Sequence, residues 1–270
     1  MFKKTRAVVI AAMCSAALLW STGCWADSAE EGRKIADAHK DAVVTVALVL
    51  EGKISYQGNT EKQEHKVTTV ATIIDPSGLA VASLSEIDPT ASAPMDQMEG
   101  FSMTIDVIDA KLKMADGTEI PADIVLRDRD LDLAFIKPKQ ALAAPAAYVD
   151  LTQPSNPQLL DELVTLSRLG PVANRALAAE IDRVEAVITK PRTMYVICGI
   201  QGVGAPAFTI DGKAVGVVVN KSNKSDSRDD DSMSSRYSDS IYVVMPCSTI
   251  IKAAAQAAEA PAEKTAEAAK

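Results

Sequence analysis

Histidine is almost missing from this chain: His39 and His65 are the two it has in 270 residues. Cysteine is scarce as well, with four in all. There is no Cys-x-x-Cys, no His-Glu-x-x-His and no clustering of the two residue types, so no metal site is legible and no cofactor is expected. Basic side chains are outnumbered, 28 Lys and Arg against 36 Asp and Glu, for a net charge of −8. A chain this acidic repels phosphate backbones, and no basic stripe interrupts the pattern, which excludes nucleic acid as a partner. The apolar run from Ala7 to Trp20 is too short to span a bilayer comfortably.

That run follows Lys3, Lys4 and Arg6, and the combination reads as a secretory signal peptide over residues 1–26, cleaved after Ala26. The alternative is a lipoprotein signal ending at Cys24, since Thr22-Gly23-Cys24 suits the last part of a lipobox, with Ser21 where that motif normally has Leu. The chain is therefore expected to be exported, periplasmic or secreted, and to touch a membrane only if Cys24 is lipidated. Removal of the leader leaves 25 basic against 36 acidic side chains, a net charge of −11. Cys198 and Cys247 remain in the mature part. An oxidising compartment permits a disulfide between them; two separate buried small hydrophobes are the other reading.

Residues 28–41 read as a short helix, on which His39 stands among charged neighbours as a solvated side chain. Stretches rich in β-branched residues follow at 42–50, 66–75, 79–83, 103–114, 120–127 and 131–137, punctuated by Asp75-Pro-Ser-Gly78 and Asp116-Gly117. Residues 138–157, rich in Pro, Ala and Gln, divide them from a second set at 163–169, 179–188, 193–197, 207–210, 214–220 and 241–245. Many short strands with few helices between them predict an all-β sandwich or barrel. Residues 221–240 are Ser, Asp, Asn, Lys and Arg almost throughout and read as a solvated loop. Its Asp229-Asp230-Asp231 lacks the ligand spacing of a dedicated calcium loop. Met95, Met98 and Met103, in and at the end of the inserted segment 89–103, offer an adaptable contact surface, with core filling the expected fate of Met103. A helix starts after Pro246, and residues 256–270 form an Ala/Glu-rich tail read as disordered. No internal repeat of useful period is present.

Three segments carry a resemblance to trypsin-like serine proteases of the HtrA type. Val70 to Asp88 (VATIIDPSGLAVASLSEID) resembles the family's Gly-Ser-Gly-Val-Ile-Ile-Asp-x-x-Gly-Tyr-Ile-Leu-Thr-Asn-x-His. Aligned on Asp75 and Gly78, Ser85 stands at the position of the general base. Leu112 to Lys137 resembles the family's Ala-Asp-Gly…Asp-x-x-x-Asp-Leu-Ala-Val-Leu-Lys and puts Asp132 at the position of the aspartate that orients the base. Gln201-Gly-Val-Gly-Ala-Pro206 resembles the nucleophile loop Gly-Asn-Ser-Gly-Gly-Pro, with Val203 in place of the serine, and Tyr242 to Ile251 resembles the lead into the closing helix. The resemblance spans about residues 40–255.

The resemblance implies a double β-barrel with a short N-terminal and a C-terminal helix, as one protease-fold domain over 27–255. Barrel one is expected at about 42–137, a linker at 138–157 and barrel two at about 158–247. It also implies a degenerate triad, Ser85, Asp132 and Val203, and former oxyanion positions at Gln201 and Val203. Valine carries no proton to release and no lone pair to attack with, and serine accepts no proton near neutral pH. The expectation is a non-catalytic protein without a peptide-binding domain appended, whose partner is a protein or peptide. Two alternatives stand beside it: an active endopeptidase with a displaced triad, and an envelope-anchored structural lipoprotein.

Overall fold

A computed structural model describes residues 28–56, 59–88, 101–198, 202–222 and 240–259. The leader with Cys24, the segment holding Met95 and Met98, Gln201, Asp229 to Asp231 and the tail beyond 259 lie outside the described residues. Among the described residues the fold is all-β with two α-helices. Helix α1 (Ser28–His39) precedes β1 (Val43–Tyr56), β2 (Asn59–Ile73), β3 (Ala80–Ser83), β4 (Phe101–Lys113), β5 (Glu119–Asp128) and β6 (Leu133–Pro138). These six strands close into a barrel in the order β1-β2-β3-β6-β5-β4.

The chain from Lys139 to Asp161 carries no strand. It is nonetheless packed: the Ala146 and Val149 amides donate to the Pro76 and Ile73 carbonyls, and Val149 and Leu151 are buried. Then come β7 (Glu162–Arg168), β8 (Leu177–Arg183), β9 (Ala186–Ile188), β10 (Met194–Val196), β11 (Pro206–Thr209), β12 (Ala214–Ser222) and β13 (Ser240–Pro246), and finally α2 (Cys247–Glu259). The second set forms one sheet ordered β8-β7-β11-β12-β13-β10-β9. With β7, β8, β11, β12 and β13 set against β1, β2, β4, β5 and β6, and β9–β10 against β3, the order is that of the first barrel, left open between β8 and β9. The repeat therefore lies in the hydrogen-bonding order, which a search for sequence period does not see.

Side chains alternate along each strand, so a strand buried on both sides serves two cores. Val44, Val46, Leu48 and Leu50 of β1 point with Ala134 and Ile136 of β6 into the first barrel. Leu133 and Phe135, their neighbours on β6, instead join Val43 and Val81 in a seam core shared with Phe208, Val217, Val219, Val243 and Met245 of the second sheet. A third cluster, including Leu163, Tyr195, Val215 and Val244, fills the concave side of that sheet. The helices cross the division. α1 precedes the first barrel but packs on β7 and β8, while α2 packs on β12 and β13 and also on β5 of the first barrel.

Several elements differ from their expected form. The β1–β2 pairing runs on through residues 51–56 and 59–64, the second of which has no apolar residue, and the first eight residues of β2 are exposed. Backbone pairing carries this extension, with Lys53 2.6 Å from Asp106 on β4 and Lys62 3.3 Å from Glu51. The stretch 179–188 is two strands, β8 and β9, because Val184 and Glu185 turn their amides to Asp161 and Val196. Met103 lies on β4 half-buried. Helix α2 continues to Glu259, into the expected tail. Among the described residues no helix is long and apolar enough to cross a membrane.

Candidate functional site

The turn from β5 into β6 carries Asp132, whose backbone is left-handed at φ 58°. That conformation is unfavourable for a residue with a Cβ, and Asp is one of the few types that tolerate it. Here it sends the carboxylate inward, where it is 7% exposed. The Ser85 amide donates to Oδ1 at 2.7 Å. Oδ2 accepts the Ser83 hydroxyl, the Ser85 hydroxyl at 3.2 Å and the Asn220 amide at 3.1 Å. The two serine hydroxyls lie 3.0 Å apart, and the Leu84 amide donates to the Asp132 carbonyl. Burial pushes the Asp132 carboxyl above its ordinary value, and the donors from Ser83, Ser85 and Asn220 pull against that shift.

Ser85 and Asp132, 47 residues apart in sequence, are thus in direct contact. Ser83 and the Asn220 amide are partners that sequence reading missed. Ser83 has a local signal: it stands two residues before Ser85 at the end of β3, where period-two spacing brings hydroxyls to one side. The Asn220 amide has none, since it comes from the other half of the molecule.

Val203, half-buried, sits in a tight turn in which the Ala205 amide donates to the Gly202 carbonyl at 2.7 Å. The next amide, of Gly204, donates to the Val218 carbonyl at 2.8 Å. Val218 lies two residues before Asn220 on β12, so one strand anchors both the Val203 turn and the Asp132 carboxylate. Gly204 has φ 88°, and a Cβ there would lie 2.1 Å from the Val70 carbonyl oxygen of β2. Its own carbonyl accepts the buried Thr72 hydroxyl at 2.9 Å. Only glycine lets the turn sit this close to the first barrel.

Around the seam the charges are balanced by neighbours. Arg192 is 2.5 Å from Asp130, and Lys221 Nζ donates to the Asp130 carbonyl at 2.5 Å. Burial lowers the Lys221 pKa, with Asp130 and Asp132 opposing. Arg127 and Arg129 approach the buried Asp88 at 3.6 and 3.9 Å.

His39 is not the solvated side chain expected. Its ring stacks on that of the buried Phe208, centroids 4.5 Å apart and planes 20° from parallel, and burial lowers its pKa. The helix that carries it is charged along its outer face, but its last turn docks on the second sheet. His65 is exposed on β2, opposite Leu50.

The permitted disulfide is absent. Cys198 is exposed after β10, whereas Cys247 opens α2 with its side chain in the seam core, and both are free thiols. Nor are they two buried hydrophobes, since only Cys247 is buried, and its thiol is pushed up to about 12 by that burial. Such a thiol is inert toward exchange. Among the described residues no three His, Cys, Asp or Glu side chains converge in a way that suits a metal ion.

No protein-family model matches the chain, and no curated protein matches it.

Proposed function

We propose that this is an exported, non-catalytic protein of the trypsin-like protease fold that binds a protein or peptide without cutting it. The observation that carries the reading is the bonding of Asp132. An aspartate that serves a hydrolytic triad orients an imidazole. Here the carboxylate accepts hydrogen bonds from two serine hydroxyls and two backbone amides, and Ser85 makes two of the four. The carboxylate acts as a structural knot between β3, β6 and β12.

Three further observations support the reading. The residues that the resemblance pairs as base and orienting group touch one another. The turn at the nucleophile position presents a valine side chain. The second sheet keeps an uncharged strand edge on β9 that pairs with no other described strand than β10, and an extended chain can add to such an edge. The N-terminal pattern of basic residues and an apolar run supports export.

The test is a peptide-library digestion read by mass spectrometry, with Asp132→Ala prepared identically, beside a binding titration with an unfolded polypeptide blocked at both ends. Binding without turnover is expected. Turnover that disappears in Asp132→Ala would replace this reading with an endopeptidase whose triad is displaced. Absence of any binding would remove the peptide partner.

A further inference from the structure

The two halves also meet at a cleft of about 280 Å³ that is separate from Asp132. Thr45 and Lys113, paired across β1 and β4, form one wall with the β4–β5 turn. Arg168, at the end of β7, and the turn at Asn174 and Arg175 form the other. Lys113 is already neutralised, with Nζ 2.6 Å from Glu119. The two arginines are not: among the described residues neither has a carboxylate within ion-pair distance.

Arg168 is fixed by the backbone. It donates from Nε to the Val43 carbonyl at 2.9 Å, from Nη2 to that of Lys40 at 2.6 Å and from Nη1 to that of Arg175 at 3.4 Å. These bonds satisfy donors without cancelling charge. Burial lowers its pKa, Asp41 acts against that, and the neighbouring Arg175 lowers it further. Two half-buried guanidinium groups within range of each other repel unless an anion stands between them. Asn174 and Arg175 are both left-handed, at φ 51° and 53°; Asn tolerates that conformation, whereas it is unfavourable for Arg175. The hydroxyl of Thr45, in a residue 4% exposed, has no hydrogen-bond partner.

A larger groove of about 570 Å³ adjoins this cleft and shares Met114, Ala115 and Asp116 with it. Its other wall is the apolar run Leu142 to Ala147 with Ile120. Asp41, Asp116 and Thr118 also line it, and Asp116 accepts the Thr118 amide at 2.8 Å.

We infer that the cleft and groove together take the C-terminus of a polypeptide, its α-carboxylate between Arg175 and Arg168 and its last apolar side chains against Leu142 to Ala147. Guanidinium groups suit a carboxylate through paired N–H donors. A bare inorganic anion would leave the apolar groove empty. Asp41 and Asp116, exposed on the rim, can take backbone N–H groups of a peptide, which an acyl chain does not have. This site lies apart from the Asp132 seam and goes beyond the reading given above.

The experiment uses the mature chain and a fluorescein-labelled peptide, Gly-Ser-Gly-Val-Ala-Leu, as free acid and as C-terminal amide, followed by anisotropy. The acid is expected to bind at least about tenfold more tightly than the amide, the scale of one charge-assisted contact. Arg175→Gln should remove that preference, and Arg175→Lys should restore part of it, with unchanged circular dichroism in both. Equal binding of acid and amide, or binding of neither, overturns the inference. So does competition by inorganic phosphate or decanoate as strong as that by the unlabelled peptide acid. A peptide blocked at both ends separates the two proposals: its binding, unchanged by Arg175→Gln, reports on the earlier reading alone.

Discussion

In barrel one the outer strands meet and, among the described residues, sixteen buried apolar side chains fill the interior; in the second sheet the corresponding interior holds eight, and β8 and β9 end the sheet without meeting. The strand order is the same, so topology does not set the difference. Side-chain supply does. β3 and β6 of barrel one are buried along almost their whole length, as their AVAS and LAFIKP sequences allow. β8 and β9 face solvent along most of theirs, and β8 carries Glu180, Asp182 and Arg183. Charges on an exposed edge limit pairing with other chains. The closed barrel thus buries an interior of its own, and the open sheet leans on the seam core and on α1.

The comparison breaks most sharply at Gly204. Gly204→Ala drives a Cβ into the Val70 carbonyl at a positive φ, and the two halves must separate to relieve it. A loss of more than about 4 kcal/mol is expected in urea unfolding, with the second sheet melting first by hydrogen exchange. Next are truncations in the two interiors. Leu48→Ala, in the closed barrel, should cost about 3 kcal/mol, while Val244→Ala in the smaller cluster should cost about 1–2 kcal/mol. Equal losses would show that the open sheet is as well supported as the barrel.

Asp132 joins the halves, and its replacement sharpens the comparison through pH. Its folded-state pKa is raised, so the folded protein holds the proton more firmly than the unfolded chain. Stability from this group is greatest at low pH and falls as pH rises from the ordinary aspartate value to the raised one. Asp132→Asn should flatten that fall in urea titrations at stepped pH. At neutral pH it should cost about 2 kcal/mol, because an amide nitrogen cannot accept what Ser83 and Asn220 donate.

The smallest effect concerns α1 on the second sheet. The folded-state pKa of His39 lies below its ordinary 6.5, so its contribution is complete above 6.5 and is lost as pH falls through the lowered value. His39→Phe should remove that acid sensitivity and change stability at pH 8 by about 1 kcal/mol or less, the scale of one aromatic pair. Amide exchange of α1 at pH 5 and pH 8 checks both.

Most strands were legible because apolar residues alternate on them and Asp-Gly or Pro-Ser-Gly marks the turns. The residue types at positions 85, 132 and 203 were legible too, and with them the chemistry that each side chain can or cannot perform, since that depends on its own atoms. The polar stretch 59–64 was not, because it is held by backbone pairing that leaves no apolar period. Nor were the contacts of His39 with Phe208, of Asn220 with Asp132 or of Thr72 with Gly204. Each joins residues more than 80 positions apart, and local periodicity holds no information on which distant strand arrives opposite. Sequence by itself determined which side chains stand at each position and that the chain folds as β-strands. Only the tertiary structure decided that one set of strands closes and the other stays open, that Cys247 is a buried free thiol while Cys198 is exposed, and that two arginines without an ion-pair partner among the described residues share a cleft. Those outcomes depend on how much apolar surface each strand finds to cover, and that is settled when the halves pack.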